Sequence, residues 1–477
     1  MIFIYDCALF FYTIIIRLGA FFGKEKALLW LNGRKDIFSK IQNDLNRNQE
    51  KTLENDAKSL ENAPKTLKTI WFHVSSLGEF EQGRPIIEAL RNQKLPVKII
   101  LTFFSPSGYE MRKNYPLADH VFYLPIDNNR NAKRFLDLIQ PDLAVFVKYE
   151  FWFHYLTQLQ KRQVPILLVS AIFRERQFSK FNPYAPLLTR ILKNFTKIFL
   201  QDTPSVFLLK KQGLDNRDVS GDTRVDRVAA IAAENKHLPT VEQFAGNAPV
   251  FVGGSTWEAD EKAILPIFKN PKFKDWRFIF APHDVSLKNI ERLERLLPEK
   301  SIRYSEILKN SLENGANTEG SSDVEFQMSD VGNTSSEIRN STSETQNTEG
   351  SYFSKKQDIR ILIIDNVGML STLYRYGKIA YIGGGFGSGI HNTLEPIAYG
   401  LPVLFGPKYE KFTEAVRLAE TGGVFVVNKE KSVEMVMLSI LNAENYDKAA
   451  ASAKDYITQN RGATEQVVEE IKKIIEK

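Results

Sequence analysis

Short apolar segments of strand character alternate with segments of helical spacing along most of the chain. Runs such as KTIWFHV, VKIILTF and LAVFVKYEFWF are rich in β-branched and aromatic residues. Each is followed by a stretch whose apolar residues recur every three to four positions. Such alternation predicts parallel β-sheets covered by helices on both faces. A second series of the same kind begins near residue 248. Because 477 residues exceed one ordinary core, we predict two doubly wound α/β domains.

The chain divides into an anchor, two domains and a C-terminal extension. The predicted parts are a hydrophobic membrane anchor at 1–30, an N-terminal Rossmann-like domain at 48–235, a C-terminal Rossmann-like domain at 245–430 and C-terminal helices at 431–477. Within the second domain, residues 310–356 are rich in Ser, Thr, Asn and Glu and contain NTEGS twice. This segment has too few apolar residues to offset the entropy of ordering, which predicts a disordered insertion.

The N-terminal stretch MIFIYDCALFFYTIIIRLGAFFG is apolar except for Asp6 and Arg17. Its uninterrupted apolar core, 7–16, is shorter than the roughly 20 residues that a spanning helix needs. Positive charges follow it, at Arg17, Lys24 and Lys26, whereas a signal peptide carries them in front. This distribution places the bulk of the protein on the cytoplasmic side. We predict an uncleaved membrane anchor that keeps the rest of the protein on the cytoplasmic side. Spanning and interfacial arrangements both remain open, as does a buried first helix.

Charge and cysteine content narrow the functional classes. The net charge is +6, spread along the chain, which suits an anionic membrane or a phosphorylated ligand better than nucleic acid. Cys7 is the only cysteine, so a disulfide framework and a cysteine zinc site are excluded. The six histidines lack HExxH or HxH spacing, and no metal is expected.

The stretch GGGFGSGIHNTLEPIAYGLPVLFGP contains five glycines between positions 383 and 389. It follows a predicted strand, and Asn392 with Glu395 predicts a capping box at the start of a short helix. Glycines before a helix N-terminus are typical of anion sites. Our hypothesis is that backbone N–H groups meet a phosphate while Glu395 accepts hydrogen bonds from a ribose. A purely capping role for Glu395 is the alternative.

Other strand-end loops carry candidate catalytic groups. In VSSLGEFEQG, Glu79 lies near a helix start, where it is either a helix-stabilising carboxylate or a general base. Lys148 and Glu150 share one face if their strand continues through KYEFWF. Arg224 in SGDTRVD suits bidentate binding of a phosphate or carboxylate. His283 in APHDVS is disfavoured as a metal ligand.

Together, these motifs resemble the 3-deoxy-D-manno-octulosonic acid (Kdo) transferases of lipopolysaccharide core biosynthesis. The resemblance is carried by NGRK, HVSSLGE, EFW, SGDTRVD, GGSTWEADE, APHD, DNVGML and the glycine-rich stretch. It implies a GT-B glycosyltransferase fold, with two Rossmann-like domains facing a cleft. It also implies transfer of Kdo from CMP-Kdo to the glucosamine disaccharide of the lipid A precursor, lipid IVA, without a metal or cofactor. The implied partners are CMP-Kdo, the lipid A precursor and a membrane lipid surface, with no nucleic acid.

The resemblance assigns roles by motif. Glu79 matches the family's general base, and Lys148 and Arg224 complete the candidate catalytic set. The implied CMP-binding residues are Pro282, His283, Val367, Gly368, Met369, Asn392, Thr393, Leu394 and Glu395. Three positions depart from the common pattern: Lys148 stands where Glu is usual, Arg224 where Lys is usual, and His283 where Arg is usual. The last change makes a phosphate contact weaker or pH-sensitive.

Two other readings remain open at this point. The first is another GT-B enzyme, either a nucleotide-sugar transferase acting on a different lipid or a sugar-nucleotide epimerase. An epimerase would have no need of the apolar N-terminus. The second is a membrane-bound nucleotide-sugar-binding protein that has lost activity through Lys148. The number of Kdo units transferred and the oligomeric state are left open.

Overall fold

A computed structural model describes residues 2–56, 67–315 and 359–476, without side-chain detail at 48–56 and 311–315. These residues form two compact units. The first extends to Asp226 and takes up the chain again from Arg461, and the second runs from Arg227 to Asn460. Apart from its start, which lies at the end of a helix, the predicted insertion at 310–356 falls outside the described residues.

Fourteen strands and twenty helices are described, numbered here in chain order. The strands are β1 Lys68–Val74, β2 Val97–Phe103, β3 His120–Tyr123, β4 Leu143–Val147, β5 Ile166–Ala171, β6 Lys197–Leu200, β7 Arg217–Val219, β8 Val250–Thr256, β9 Arg277–Pro282, β10 Ser301–Arg303, β11 Ile361–Ile363, β12 Ile379–Ile382, β13 Val403–Phe405 and β14 Val424–Val426. The helices are α1 Ile2–Phe21, α2 Glu25–Arg34, α3 Ile37–Asp56, α4 Leu77–Asn92, α5 Pro106–Arg112, α6 Asn129–Ile139, α7 Phe153–Lys161, α8 Ala185–Leu192, α9 Thr203–Lys211, α10 Thr223–Ala233, α11 Pro239–Ala245, α12 Glu258–Ile264, α13 Leu287–Leu296, α14 Tyr304–Gly315, α15 Leu370–Leu373, α16 Leu394–Ala398, α17 Thr413–Thr421, α18 Val433–Ile440, α19 Ala443–Gln459 and α20 Ala463–Ile475.

Each unit contains one seven-stranded sheet. The strand order is β3-β2-β1-β4-β5-β6-β7 in the first unit and β10-β11-β9-β8-β12-β13-β14 in the second. All paired strands are parallel. The order in which strands are added across the sheet reverses beside β1 in the first unit and beside β8 in the second, as in doubly wound folds. The predicted α/β class with two Rossmann-like sheets is confirmed.

The core of the first unit lies on both faces of its sheet. Alternate residues of β1 belong to different clusters: Trp71 packs with Phe135 and Phe146 on one face, and Ile70 and Phe72 pack on the other. A strand buried on both faces needs apolar residues at every position, because successive side chains point to opposite sides. This explains the continuous apolar runs in the sequence.

The last helix of the chain, α20, completes the core of the first unit. Val467, Val468 and Ile471 are buried in the cluster that contains the residues of β1 facing α4. Asp226 fixes the start of α20 by accepting hydrogen bonds from the N–H groups of Gly462 and Thr464, at 2.6 and 2.7 Å. The first unit is therefore closed by residues from the opposite end of the chain.

Helix α1 is unlike the others. Within the described ranges, it is the one helix that is long and apolar enough to cross a membrane by length and composition. None of its residues is buried. The apolar segment is therefore not a core helix, which removes the buried-helix alternative for this stretch.

Four short strands were absent from the sequence prediction: β3, β7, β10 and β14. Each has only three or four residues, too few to show a hydrophobic period. The predicted strand in LAVFVKYEFWF is too long, because β4 ends at Val147.

We expect Ile471→Ala to destabilise the first unit, although the residue lies six positions from the last residue of the chain. Its side chain is fully buried, and removing it leaves a cavity that costs about 2–5 kcal/mol of unfolding free energy. Urea unfolding followed by tryptophan fluorescence measures the loss. Lys473→Ala, on the exposed side of the same helix, should leave the midpoint unchanged. Equal midpoints for the two variants would contradict this packing.

Candidate functional site

Glu79 lies in the first turn of α4, directly after the carboxyl end of β1. Its side chain is half-buried, and the Ser76 hydroxyl donates a hydrogen bond to carboxylate oxygen Oε2. The preceding loop is fixed as well. The Ser75 carbonyl accepts from the N–H groups of Phe104 and Ser105, at 3.2 and 2.7 Å. Glu79 is thus carried by an ordered loop that is tied to the end of β2.

Arg34, at the end of α2, ties several strand ends together. Its guanidinium donates to the carbonyls of Phe104, Leu124 and Trp30, at 2.6, 3.0 and 3.2 Å. It also lies over the rings of Trp30, Phe104 and Tyr123, at 4.1 to 4.9 Å from their centroids. Burial lowers the pKa of Arg34 to about 10, so it stays charged at neutral pH. The sequence analysis treated this residue only as part of the NGRK motif.

Lys148 does not continue the strand, and the expectation that it shares a strand face with Glu150 is wrong. β4 ends at Val147, and Lys148 has a left-handed backbone with φ of 67°. The backbone therefore turns before Glu150, and the two-residue alternation of a strand no longer applies. Lys148 is half-buried, with Nζ 5.8 Å from the centroid of the Tyr149 ring.

Glu150 is part of a buried polar network instead. Its Oε2 accepts from Trp152 Nε1 at 2.7 Å and lies 3.2 Å from His73 Nε2. The other ring nitrogen of His73 lies 2.8 Å from the Thr102 hydroxyl, which also accepts from Trp71. Glu150 and His73 are both buried. The network joins β1, β2 and the segment after β4, so Glu150 acts as a structural acceptor.

Arg224 meets a carboxylate of its own chain. Its Nε and Nη2 donate to Asp222 Oδ2, at 3.0 and 2.7 Å, and its backbone N–H donates to Oδ1. Burial alone would raise the pKa of Asp222, but the charge and hydrogen bonds of Arg224 outweigh burial and lower it. Gln82 of α4 also donates to Asp222, and its carbonyl accepts from the Thr223 hydroxyl. The start of α10 is thereby held against α4.

The structure brings the three candidate catalytic residues to one edge of the first sheet. β1 and β4 are neighbours, with His73 opposite Phe146, so the loops that carry Glu79 and Lys148 leave adjacent strand ends. Arg224 reaches the same helix as Glu79 through Gln82. This is the carboxyl edge, where ligands of open α/β sheets bind.

The predicted CMP-binding residues lie along the carboxyl edge of the second sheet. β11, β9, β8 and β12 are consecutive in that sheet. Val367, Gly368 and Met369 follow β11, Pro282 and His283 lie at the end of β9, and Asn392, Thr393, Leu394 and Glu395 follow β12. All nine residues therefore lie at or after the carboxyl ends of neighbouring strands.

Asp260 organises the glycine-rich loop, and the sequence analysis did not single it out. The carboxylate is buried and accepts from the N–H groups of Gly384 and Trp257 and from the Tyr381 hydroxyl, at 2.8, 3.0 and 3.0 Å. Burial raises its pKa despite these hydrogen bonds. The sequence alone could not show that Asp260, in the motif GGSTWEADE, contacts the glycine-rich loop. That contact depends on the pairing of β8 with β12.

The glycines of this loop have a packing role. A Cβ on Gly385 would lie 2.5 Å from the backbone nitrogen of Gly406, closer than any side chain tolerates. Several N–H groups of the loop donate within the protein, including those of Gly387 and Gly389, both to the Gly384 carbonyl. Close backbone packing thus accounts for part of the glycine content that the sequence analysis assigned to ligand approach.

The predicted capping box at Asn392 differs in detail. Helix α16 begins at Leu394, and the Asn392 side chain accepts from the Leu394 N–H at 3.1 Å. Its amide nitrogen donates to Glu395 Oε1 at 3.0 Å, so the two side chains bond to each other instead of reciprocally to the backbone. Asn392 therefore shapes a turn ahead of the helix and holds the carboxylate of Glu395.

Three rings stack beside this loop. His283 stacks against both Trp257 and His391, with ring centroids 4.5 Å apart in each pair. Trp257 Nε1 donates to His391 Nε2 at 3.1 Å. Burial, followed by the charge of His283, lowers the pKa of His391 to about 4. His391 is therefore neutral at physiological pH, which agrees with its acceptor role.

In the described portion of the chain, no group of three or more His, Cys, Asp or Glu side chains is arranged to hold a metal ion. The two sheet edges instead present carboxylate, ammonium, guanidinium, imidazole and backbone groups. These groups suit proton transfer and the binding of anionic ligands.

Sequence and structure comparisons identify relatives over most of the chain. Residues 46–227 match the family model Glycos_transf_N, described as 3-deoxy-D-manno-octulosonic-acid transferase. The chain is 24% identical over 422 residues to the 3-deoxy-D-manno-octulosonic acid transferase of Haemophilus influenzae, covering 86% of this chain and 87% of that protein. It is 26% identical over 390 residues to the enzyme of the same name from Aquifex aeolicus, covering 81% and 90% of the two chains.

Among solved structures, the fold is similar to UDP-GlcNAc 2-epimerase from Neisseria meningitidis bound to UDP-GlcNAc. The TM-score is 0.54 at 14% identity, over 85% of this chain and all of that one. This likeness shows the fold, and it confirms the predicted GT-B class. The sequence matches confirm the resemblance to the 3-deoxy-D-manno-octulosonic acid transferases over most of the chain.

We expect Gly385→Ala to lower stability, whereas Gly387→Ala in the same loop should be tolerated. The added methyl would strike the Gly406 backbone in the first case and meets only the Gly384 carbonyl, at 3.5 Å, in the second. Overpacking of this kind costs about 1–3 kcal/mol. Thermal unfolding of both variants measures the difference. A Gly387→Ala variant as unstable as Gly385→Ala would show that the close contact is not the cause.

We expect Arg34→Lys to destabilise the first unit although it preserves the charge. Lysine lacks the planar fork that reaches three carbonyls and stacks on rings. The loss should be about 2–3 kcal/mol, since hydrogen bonds from a charged donor are broken in a buried site. Arg130→Lys, at an exposed arginine, is the matched control. Denaturant midpoints that are the same for both variants would refute the bridging role.

Proposed function

We propose that this chain transfers Kdo from CMP-Kdo to the glucosamine disaccharide of the lipid A precursor, lipid IVA, at the cytoplasmic face of the inner membrane. The observation that carries the proposal is the position of Glu79. Glu79 matches the carboxylate that the family uses as general base. It lies after a fixed loop at the carboxyl edge of a doubly wound sheet, where ligands bind. The relatives' printed activity and the apolar face of α1 support the sugar and the lipid acceptor.

Glu79 is the proposed general base. Ser76 donates to Oε2, while Oε1 makes no hydrogen bond to a described residue and is available to an acceptor hydroxyl. In the reaction, Oε1 takes the proton of that hydroxyl as its oxygen attacks the anomeric carbon of Kdo. The bond from that carbon to the phosphate oxygen of CMP breaks, and CMP leaves with the electron pair. A carboxylate base in this role contributes about 10²–10⁴-fold to the rate.

The second sheet's edge is the proposed CMP site. Pro282, His283, the segment Val367–Met369 and the segment Asn392–Glu395 would surround the nucleotide. His283 can donate to a phosphate oxygen from its ring edge, because its ring plane stacks against Trp257 and His391. Glu395, held by Asn392, is placed to accept from a ribose hydroxyl.

Lys148 and Arg224 supply positive charge at the first sheet's edge. Kdo carries a carboxylate and CMP a phosphate, so cations there favour the donor and the leaving group. Lys148 stands where the family commonly has Glu, and we propose an anion-binding role for it in this chain. Arg224 would act together with Asp222, to which it is bonded.

We expect Glu79→Gln to abolish transfer while leaving the fold intact. Purified protein in detergent is incubated with lipid IVA and CMP-Kdo generated in situ, and the products are weighed by mass spectrometry. The wild type should add one or more Kdo masses, and Glu79→Gln should be slower by at least about 10²-fold. Glu81→Gln, two residues further along the same helix and paired with Arg84 and Arg112, should retain activity.

The outcomes separate the alternatives. If the wild type binds CMP but forms no product, the chain is a binding protein, and Lys148→Glu tests whether the family residue restores transfer. If Glu79→Gln is as active as the wild type, Glu79 is not the base. Conversion of UDP-GlcNAc without transfer to lipid would favour the epimerase reading.

A further inference from the structure

One side of α1 contacts the first unit at separate points from the start of the helix to its last turn. Among the less exposed residues, Ile2, Tyr5, Leu9, Thr13 and Ile16 recur every three to four positions and so share one helix face. The others are Cys7, Ile14, Gly19 and Ala20. Ile2 and Tyr5 pack against the core cluster of the first sheet. The helix is therefore seated lengthwise on the protein.

The opposite side of α1 is apolar and uncovered. Phe3 is 78% exposed, and Phe10, Phe11, Ile15 and Leu18 are also among the exposed large apolar side chains. Helical spacing places these residues on the face turned away from the first unit. An uncovered apolar face of this size needs an apolar occupant, such as lipid.

Polar contacts hold the start of the helix. The Tyr5 hydroxyl donates to Asp127 Oδ2 at 2.5 Å, and Asp6 Oδ1 lies 2.7 Å from His154 Nε2. Asp127 is buried and also accepts from the N–H groups of His154 and Tyr155, in the first turn of α7. We call Tyr5, Asp6, Asp127 and His154 the clasp.

The other end of the helix is held by rings and by α2. Tyr12 contacts Trp30 and Phe104, with centroids 5.9 and 6.0 Å apart. A Cβ on Gly19 would lie 3.4 Å from the Ala27 Cβ, so α1 and α2 pack closely where the chain turns between them. The helix, about 30 Å long, is therefore held at its start, at its middle and at its last turn.

We infer that α1 does not cross the membrane but lies in the plane of one leaflet, with its clasp side on the first unit and its apolar side in lipid. The inference rests on the proposed function in taking a bilayer as the occupant of the apolar face. The exposed Arg17, Lys24 and Lys26 suit the anionic headgroups beside that face.

A spanning arrangement conflicts with the clasp. A helix in the bilayer core must be surrounded by lipid or by apolar protein. If α1 crossed the membrane as seated here, Asp127, His154 and the start of α7 would enter the hydrocarbon, at several kcal/mol for each polar or charged group. If α1 instead swung away to cross, the clasp would break and leave Asp127 buried without its Tyr5 donor.

In-plane seating places lipid close to the loop of Glu79. Tyr12 on α1 contacts Phe104, and the Phe104 N–H donates to the Ser75 carbonyl, four residues before Glu79. An acceptor whose acyl chains stay in the leaflet would then present its sugar at the level of that loop. A helix that crossed the membrane would not fix the distance between the loop of Glu79 and the lipid headgroups.

The orientation of the N-terminus tests the inference. Both arrangements keep the globular units in the cytoplasm, but a spanning α1 would carry residue 1 to the periplasm. We add a short protease-cleavable tag before Met1 of the full chain and treat spheroplasts with the protease. The tag should resist cleavage until the inner membrane is opened. Cleavage in intact spheroplasts, or recovery of the protein in the soluble fraction, would overturn the inference.

Crosslinking in membranes tests the clasp directly. In a Cys7→Ser background, Asp6→Cys with His154→Cys should be joined by a short bis-maleimide. Ile4→Cys with His154→Cys should not react, because Ile4 is on the exposed side. The inference is overturned if the two cysteine pairs react equally or if only the Ile4→Cys/His154→Cys pair reacts. Kdo transfer is assayed separately on the same membranes. If the tag is protected but no Kdo is transferred, the proposed function is rejected and the in-plane position of α1 is retained.

Discussion

Parallel pairing of every strand is the constraint on which this molecule depends. In a parallel sheet all carboxyl ends lie at one edge, and each strand must be connected to the next by a helix on one of the faces. The strands are consequently buried on both sides, and polar residues are pushed to the ends. The candidate residues of both units lie at those ends because no other part of the sheets accepts them.

Buried charged or polar side chains fix these edges by bonding to loop backbone. Arg34 does so for the ends of β2 and β3, and Asp260 does so for the glycine-rich loop after β12. A loop of this kind exposes backbone groups that need partners, and a single multivalent side chain satisfies several at once. Neither residue is a candidate for touching substrate, yet the geometry of Glu79 and of the predicted nucleotide site rests on them.

Sequence patterns predicted the two α/β sheets and most long strands, because continuous apolar runs follow directly from burial on both faces. They missed β3, β7, β10 and β14, whose few residues show no period. They also extended β4 past Lys148, since nothing local signals the left-handed backbone there. Glu79 could be recognised from its motif, but the partners Asp222, Asp260 and His73 could not. Their contacts depend on strand order, which is a long-range property.

The return of α20 to the first unit has a consequence for biosynthesis. The ribosome releases the first sheet early, but Val467 and Ile471, which fill one face of it, emerge last. Until then that face lacks part of its apolar cover, and the apolar side of α1 is exposed as well. The first unit is thus begun before the second unit is made and is completed only after it.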